Sequence, residues 1–189
     1  SFVRRDVPAG VTTELTLDHS TSYPGTRRRV WVHVPHGVDP AAPAPVMVFN
    51  DGWWYLDPEG DVRGGIVLDN LVHAGQIPAM IGVFVDPGVF DPPHEPKNRN
   101  TEYDAFDARY ADFLTTEVLP LVEQRWNLSD DLEQRGICGG SSGGNAAFTA
   151  AWRRQSLSVA AGHPARETTT DLPPGGPPRP QLEPAHRQL

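Results

Sequence analysis

Cysteine is nearly absent from this 189-residue chain: Cys138 stands alone, so no disulfide within the chain staples the fold. Its place in a short apolar run, beside Ile137, marks it as a small buried hydrophobe rather than a reactive thiol, and a reducing compartment is compatible with it. Long hydrophobic runs are missing too. None reaches the length that crosses a bilayer, and the first residues lack the basic-then-apolar pattern of a secretory signal. Positive charge is in short supply, with 16 Lys and Arg against 24 Asp and Glu and a formal charge of −8. Such a field repels polyanions, so neither nucleic acid nor an anionic membrane is an expected partner. A small molecule fits better, and a soluble cytoplasmic location is the default expectation.

What the chain has in quantity is Pro (20) and Gly (18), which makes much of it irregular around a single core. Residues 1–161 read as one domain. Residues 162–189 hold seven prolines and no Val, Ile, Phe, Tyr or Trp. That stretch lacks the apolar surface to offset its ordering entropy, and it is expected to be disordered or read out of the ancestral frame.

Val11 to Leu17 and Arg28 to Val34 alternate as strands and predict an antiparallel opening pair. Pro45 to Phe49 and Ala79 to Val85 are near-continuous apolar runs, as in strands covered on both faces of a parallel sheet. Between them a helix is expected from Gly65 to Ala74, with Ile66, Val67, Asn70 and Leu71 on one side and Gly75 as its C-terminal stop. A long helical pattern from Asp104 to Trp126 repeats Phe106, Tyr110, Phe113, Leu114, Val118 and Leu121, with Pro120 predicted to kink or divide it. Gln134 to Cys138 supplies a further strand. The order is that of an α/β fold.

That last strand runs into ICGGSSGGNAAF, residues 137–148. A serine between paired glycines after a strand has the form of a nucleophile elbow, whose sharp turn needs residues without bulk two positions either side of the serine. Gly139 and Gly143 bracket Ser141 in that way, and Gly140 and Gly144 bracket Ser142 one residue on. The elbow mechanics favour Ser141 and keep Ser142 as runner-up. No Lys follows the glycines, which argues against a phosphate-cradling P-loop. Trp53, Trp54 and Tyr55 either line a ligand pocket or pack locally. His33 and His36, and the scattered Asp86, Asp91, His94 and Glu95, have no recognised ligand spacing, so neither metal nor cofactor is expected.

The blocks VFNDGWWYLDPEGDVRGGIVLDNLVHAGQIPAMIGVFVDPG, NRNTEYD, RYADFLTTEVLPLVEQRWNL and ICGGSSGGNAAF, in this order and spacing, resemble the enterochelin-esterase-like serine hydrolases, an esterase branch of the α/β-hydrolase superfamily. The resemblance runs from about Val46 to Trp152. It implies an α/β-hydrolase-type sheet, mostly parallel with an antiparallel N-terminal pair, and hydrolysis of a small-molecule carboxylic ester. It places the nucleophile on Ser141 and one oxyanion donor on the Ser142 N–H. A second donor falls in the turn Asp51-Gly52-Trp53, with Trp53 as the expected residue. Arg99 would either anchor a polar substrate group or pair with Glu102 or Asp104 to fasten its loop.

The chain departs from the family after the elbow helix, where relatives continue with further strands, an acid and a histidine. Asp171, His163 and His186 follow Ser141, but no strand precedes them, and His94 lies in a Pro-rich loop. The fold is therefore expected to be truncated after that helix, with a nucleophile but no positioned base or acid. An uncovered sheet edge and self-association follow from the same expectation. An acyltransferase and a non-catalytic ligand-binding protein are the competing readings.

Overall fold

A computed structural model describes residues 3–4, 6–90 and 98–160 of the chain. Asp91, His94, Glu95, Asp171, His163, His186 and the whole of 162–189 lie outside the described residues.

Strands β1 (Val11–Leu17), β2 (Thr26–Val34), β3 (Val46–Asn50), β4 (Ile81–Val85) and β6 (Arg135–Cys138) form one sheet in the order β1-β2-β4-β3-β6. The short β5 (Val89–Phe90) pairs with the start of β2. β3 is parallel to both β4 and β6, while β2 runs antiparallel to β1 and β4. Among these five strands β2 alone is reversed.

The apolar runs explain why the middle of the sheet is covered twice. Val30 and Val32 of β2, Val46 and Val48 of β3, and Ile81, Val83 and Val85 of β4 enter one core cluster. Trp31 and Phe84 point to the other face, where Leu56 and Leu68 meet them. Successive side chains alternate between faces, so a continuous apolar run serves two layers.

The second cluster is roofed by α1 (Gly52–Leu56) and α2 (Gly64–His73). The buried stripe of α2 is Gly64, Gly65, Leu68 and Asp69, not the expected Ile66, Val67, Asn70 and Leu71. The register is set by Asp69, whose carboxylate accepts from the Gly10 N–H (3.0 Å) and contacts the buried His33 ring (2.9 Å). His33 is also 2.8 Å from Thr12 Oγ1, so it ties β1, β2 and α2 together. Gly65 makes room for that ring, since a Cβ there would stand 3.2 Å from it.

On the first cluster's face, the expected long helix starts at Arg109 rather than Asp104. Phe106 turns outward with a φ of +53° and is 60 % exposed, which ends the helical pattern before it begins. α4 (Arg109–Phe113) passes through a π-helical stretch, Leu114–Val118, into α5 (Leu119–Glu123). The widened turn lies just before Pro120, which cannot donate a backbone hydrogen bond, and the helix continues through it. A helix unforeseen in the sequence, α3 (Asn98–Tyr103), precedes it. The last element is α6 (Ser142–Ala160), which follows β6 directly.

Candidate active site

The elbow forms where β6 ends beside β3. Ser141 has a φ of +53°, a left-handed backbone that a side chain other than glycine occupies only when its surroundings impose it. Its carbonyl accepts from the N–H groups of Gly144 (2.9 Å) and Asn145 (3.1 Å), so it opens α6 while its side chain stays exposed. The glycines have distinct tasks. A Cβ on Gly139 would strike the Gly143 carbonyl, and one on Gly143 would come within 2.9 Å of Asp51 Oδ2. Ser142 is held differently, its hydroxyl donating to Asp104 Oδ2 at 3.2 Å.

Opposite the elbow lies the turn between β3 and α1. Asn50 is fully buried, and its side-chain amide donates to the Gly143 carbonyl (2.7 Å) while its oxygen accepts from the Tyr110 hydroxyl (2.6 Å). Asp51 also takes the left-handed conformation, with φ 54° and ψ 53°. Its carboxylate receives the Arg99 guanidinium in a two-pronged pair, Nε to Oδ1 at 2.6 Å and Nη2 to Oδ2 at 2.7 Å. Gly52 permits the close packing of this turn on β4, where any Cβ would collide with the Phe84–Val85 backbone.

The three amides of the turn are not equivalent. The Asp51 N–H donates to Tyr103 Oη (3.0 Å), and the Trp53 N–H donates to Asp86 Oδ1 (2.9 Å). The expected oxyanion donor, Trp53, thus has its amide on the β4 side of the turn, because Asp86 directly follows that strand. Its ring leans on Trp31 at 5.4 Å, again toward β2. Tyr55 goes the other way. Its hydroxyl is 3.9 Å from Cys138 Sγ, and its pKa is pushed up to about 12 by burial first and then by Cys138. Trp54 packs edge-on against Tyr55 at 4.9 Å and is 54 % exposed. Of the three aromatic residues, Tyr55 adjoins the elbow and Trp53 turns from it.

Arg99 pairs with Asp51 and not with Glu102 or Asp104. Glu102 is taken by Arg28, with Nη1 to Oε2 and Nη2 to Oε1 both at 2.7 Å and both side chains wholly buried. Burial pushes the Glu102 carboxyl upward against the pull of Arg28. Asp104 is held below its ordinary value by hydrogen bonds from Asn100 and then Ser142. Neither Asn50 nor Tyr110 carries a sequence signal for its part in this network. The Asp-Gly pair after a buried strand was the only pointer to the turn.

Among the described residues the Ser141 hydroxyl has no histidine partner, and His33 is occupied by Thr12 and Asp69. No group of three or more His, Cys, Asp or Glu among them is arranged to hold a metal. Nor is any described helix long and apolar enough to cross a membrane.

Residues 21–162 match the family described as "Putative esterase". Iron(III) enterobactin esterase of Yersinia enterocolitica is 30% identical over 119 residues, covering 63% of this chain and 31% of that protein. Enterobactin esterase from Shigella flexneri, solved in the presence of enterobactin, superposes with a TM-score of 0.61 at 22% identity, over 79% of this chain and 35% of that one. A ferulic acid esterase from Anaeromyces mucronatus, solved with ferulic acid, gives 0.57 at 22% identity over 74% and 52%. The chain spans about a third of the length of the bacterial relatives. The sheet, with its helices on both faces, is of the α/β-hydrolase type. By the match across residues 21–162, the chain belongs to this esterase family.

Proposed function

We propose that the site cleaves carboxylic esters through a serine acyl-enzyme. Ser141 Oγ attacks the ester carbonyl, the C–O bond to the alcohol breaks, and water then releases the acid from Ser141. The observation that carries this reading is the left-handed backbone of Ser141, a strain of the kind that concentrates at reacting positions. Charge developing on the carbonyl oxygen would meet the Ser142 N–H and a second amide from the opposing turn. Asp51 and Trp53 have already used theirs, which favours Gly52 over Trp53 as that donor. Tyr55 and Trp54, set edge-on to one another, would offer an aromatic corner to the substrate, with Trp53 turned toward β2. The relatives named for enterobactin and ferulic acid make esters that carry an aromatic acid the first substrates to try.

A serine needs a base to take its proton, and none among the described residues reaches Ser141. Turnover by this chain should then be slow, at about 10³ to 10⁴ times the uncatalysed rate, the residue left by binding and oxyanion stabilisation when triad members are lost. Fluorophosphonate labelling and p-nitrophenyl acetate hydrolysis, compared among wild type, Ser141→Ala and Ser142→Ala, test the assignment. Ser141→Ala is expected to abolish labelling, which reads the nucleophile directly. Loss confined to Ser142→Ala would move the nucleophile by one residue. Absence of labelling and turnover in wild type, with an ester of an aromatic acid still bound, would favour a non-catalytic binding protein.

A further inference from the structure

We infer that Arg99 is a positioning residue, whose two-pronged grip on Asp51 holds the turn after β3 in register with the elbow. The inference rests on the acyl-transfer reading above, since it concerns how that site keeps its two amide donors in place.

Asp51 is the pivot. Its left-handed backbone is one an aspartate adopts only occasionally, and here it has outside support. That support comes from one short helix: α3 supplies Arg99 to the carboxylate and the Tyr103 hydroxyl to the Asp51 N–H. The Arg99 guanidinium also lies 5.1 Å from the centre of the Tyr103 ring, so the two supports brace each other. On its far side Asp51 Oδ2 faces Gly143, where the lack of a Cβ leaves space for the carboxylate. Gly52 and its N–H follow Asp51 immediately, so rotation at Asp51 would carry that donor with it.

The same helix steadies the other donor. Asn100 Nδ2 donates to Asp104 Oδ2 (2.8 Å), which in turn receives the Ser142 hydroxyl. Both amides invoked for the oxyanion are therefore referenced to α3, one through Arg99 and Asp51, the other through Asn100 and Asp104. Donors fixed in this way need no reorganisation when charge appears. With its charge paired to the Asp51 carboxylate, Arg99 attracts a substrate anion less than a lone guanidinium would.

The test uses Arg99→Lys, which keeps the charge and loses the fork, and Asp51→Asn, which keeps the shape and loses the charge. Hydrolysis is followed with a neutral ester, p-nitrophenyl acetate, and an anionic one, mono-p-nitrophenyl succinate. Positioning predicts that either variant lowers kcat about 10- to 100-fold on both esters. KM should change little, and the double variant should be no worse than the poorer single one. A rise in KM confined to the anionic ester would overturn the inference and make Arg99 a substrate anchor. If wild type neither labels nor turns over, the acyl-transfer reading fails by itself, and amide hydrogen exchange decides on Arg99. Faster exchange at residues 51–56 and 141–145 in both variants, with β1 and β2 unchanged, supports the clamp. Unchanged exchange at those segments refutes it.

Discussion

Gly139 carries the tightest steric demand of the elbow, because its missing side chain is where the Gly143 carbonyl passes. Gly139→Ala should cost about 1–3 kcal/mol, the range for forcing bulk into a packed position. It should also slow labelling of Ser141 by moving the turn that presents it. Equilibrium unfolding in urea and the labelling rate measure the two effects, and a neutral result in both would mean the turn is looser than its contacts imply. The glycines made this residue legible in the sequence, since their spacing is the direct requirement of a sharp turn. The pairing of Arg99 with Asp51 was not legible. The partners stand 48 positions apart, and a charge pair leaves no periodic trace.

At the scale of elements, β1 was readable to its ends because alternation is a local signal. α3 was not. Its buried residues are Asn98, Glu102 and Tyr103, and a helix that buries polar groups shows no apolar stripe. Glu102 is tolerated inside because Arg28 and the Gly88 N–H satisfy its oxygens, a condition set by residues far away in the chain. The π-helical stretch was likewise invisible, although its purpose is plain afterwards. Phe113 and Val118, and Leu114 and Leu119, face the core five residues apart. Glu117 in that stretch secures the segment before β2, accepting from Ser22 N–H (2.8 Å) and Ser22 Oγ (2.6 Å). Burial pushes this carboxyl up, but the bonds from Ser22 outweigh it and hold the group below its ordinary value. A carboxylate depressed on folding stabilises the protein above its unfolded pKa, and that contribution fades as the pH drops through the folded value. Glu117→Gln should therefore lose about 1–2 kcal/mol at pH 7 and match wild type in strong acid. Urea titrations across that range read the difference. A gap that persists in strong acid would assign the loss to packing instead.

For the molecule as a whole, the sheet ends on unequal strands. β1 presents threonines and Glu14, whereas β6 is four residues long and, among the described residues, nothing pairs with its outer edge. Nearby on α6, Phe148 and Trp152 stack at 6.3 Å and are 71 % and 65 % exposed. Edge and aromatic pair together predict self-association of this chain. Sedimentation should show mass growing beyond the 20.7 kDa monomer as concentration rises. A single monomeric species with a sharp cooperative melt would contradict it. The place of β6 also bears on how the chain reaches its native state. β1 and β2 are neighbours in sequence and can zip early, but Asn50 and Gly143, which lock β3 to the elbow, are separated by 93 residues. Closing so long a loop costs more entropy than pairing two adjacent strands, so the elbow that presents the nucleophile is expected to form after the β1–β2 pair.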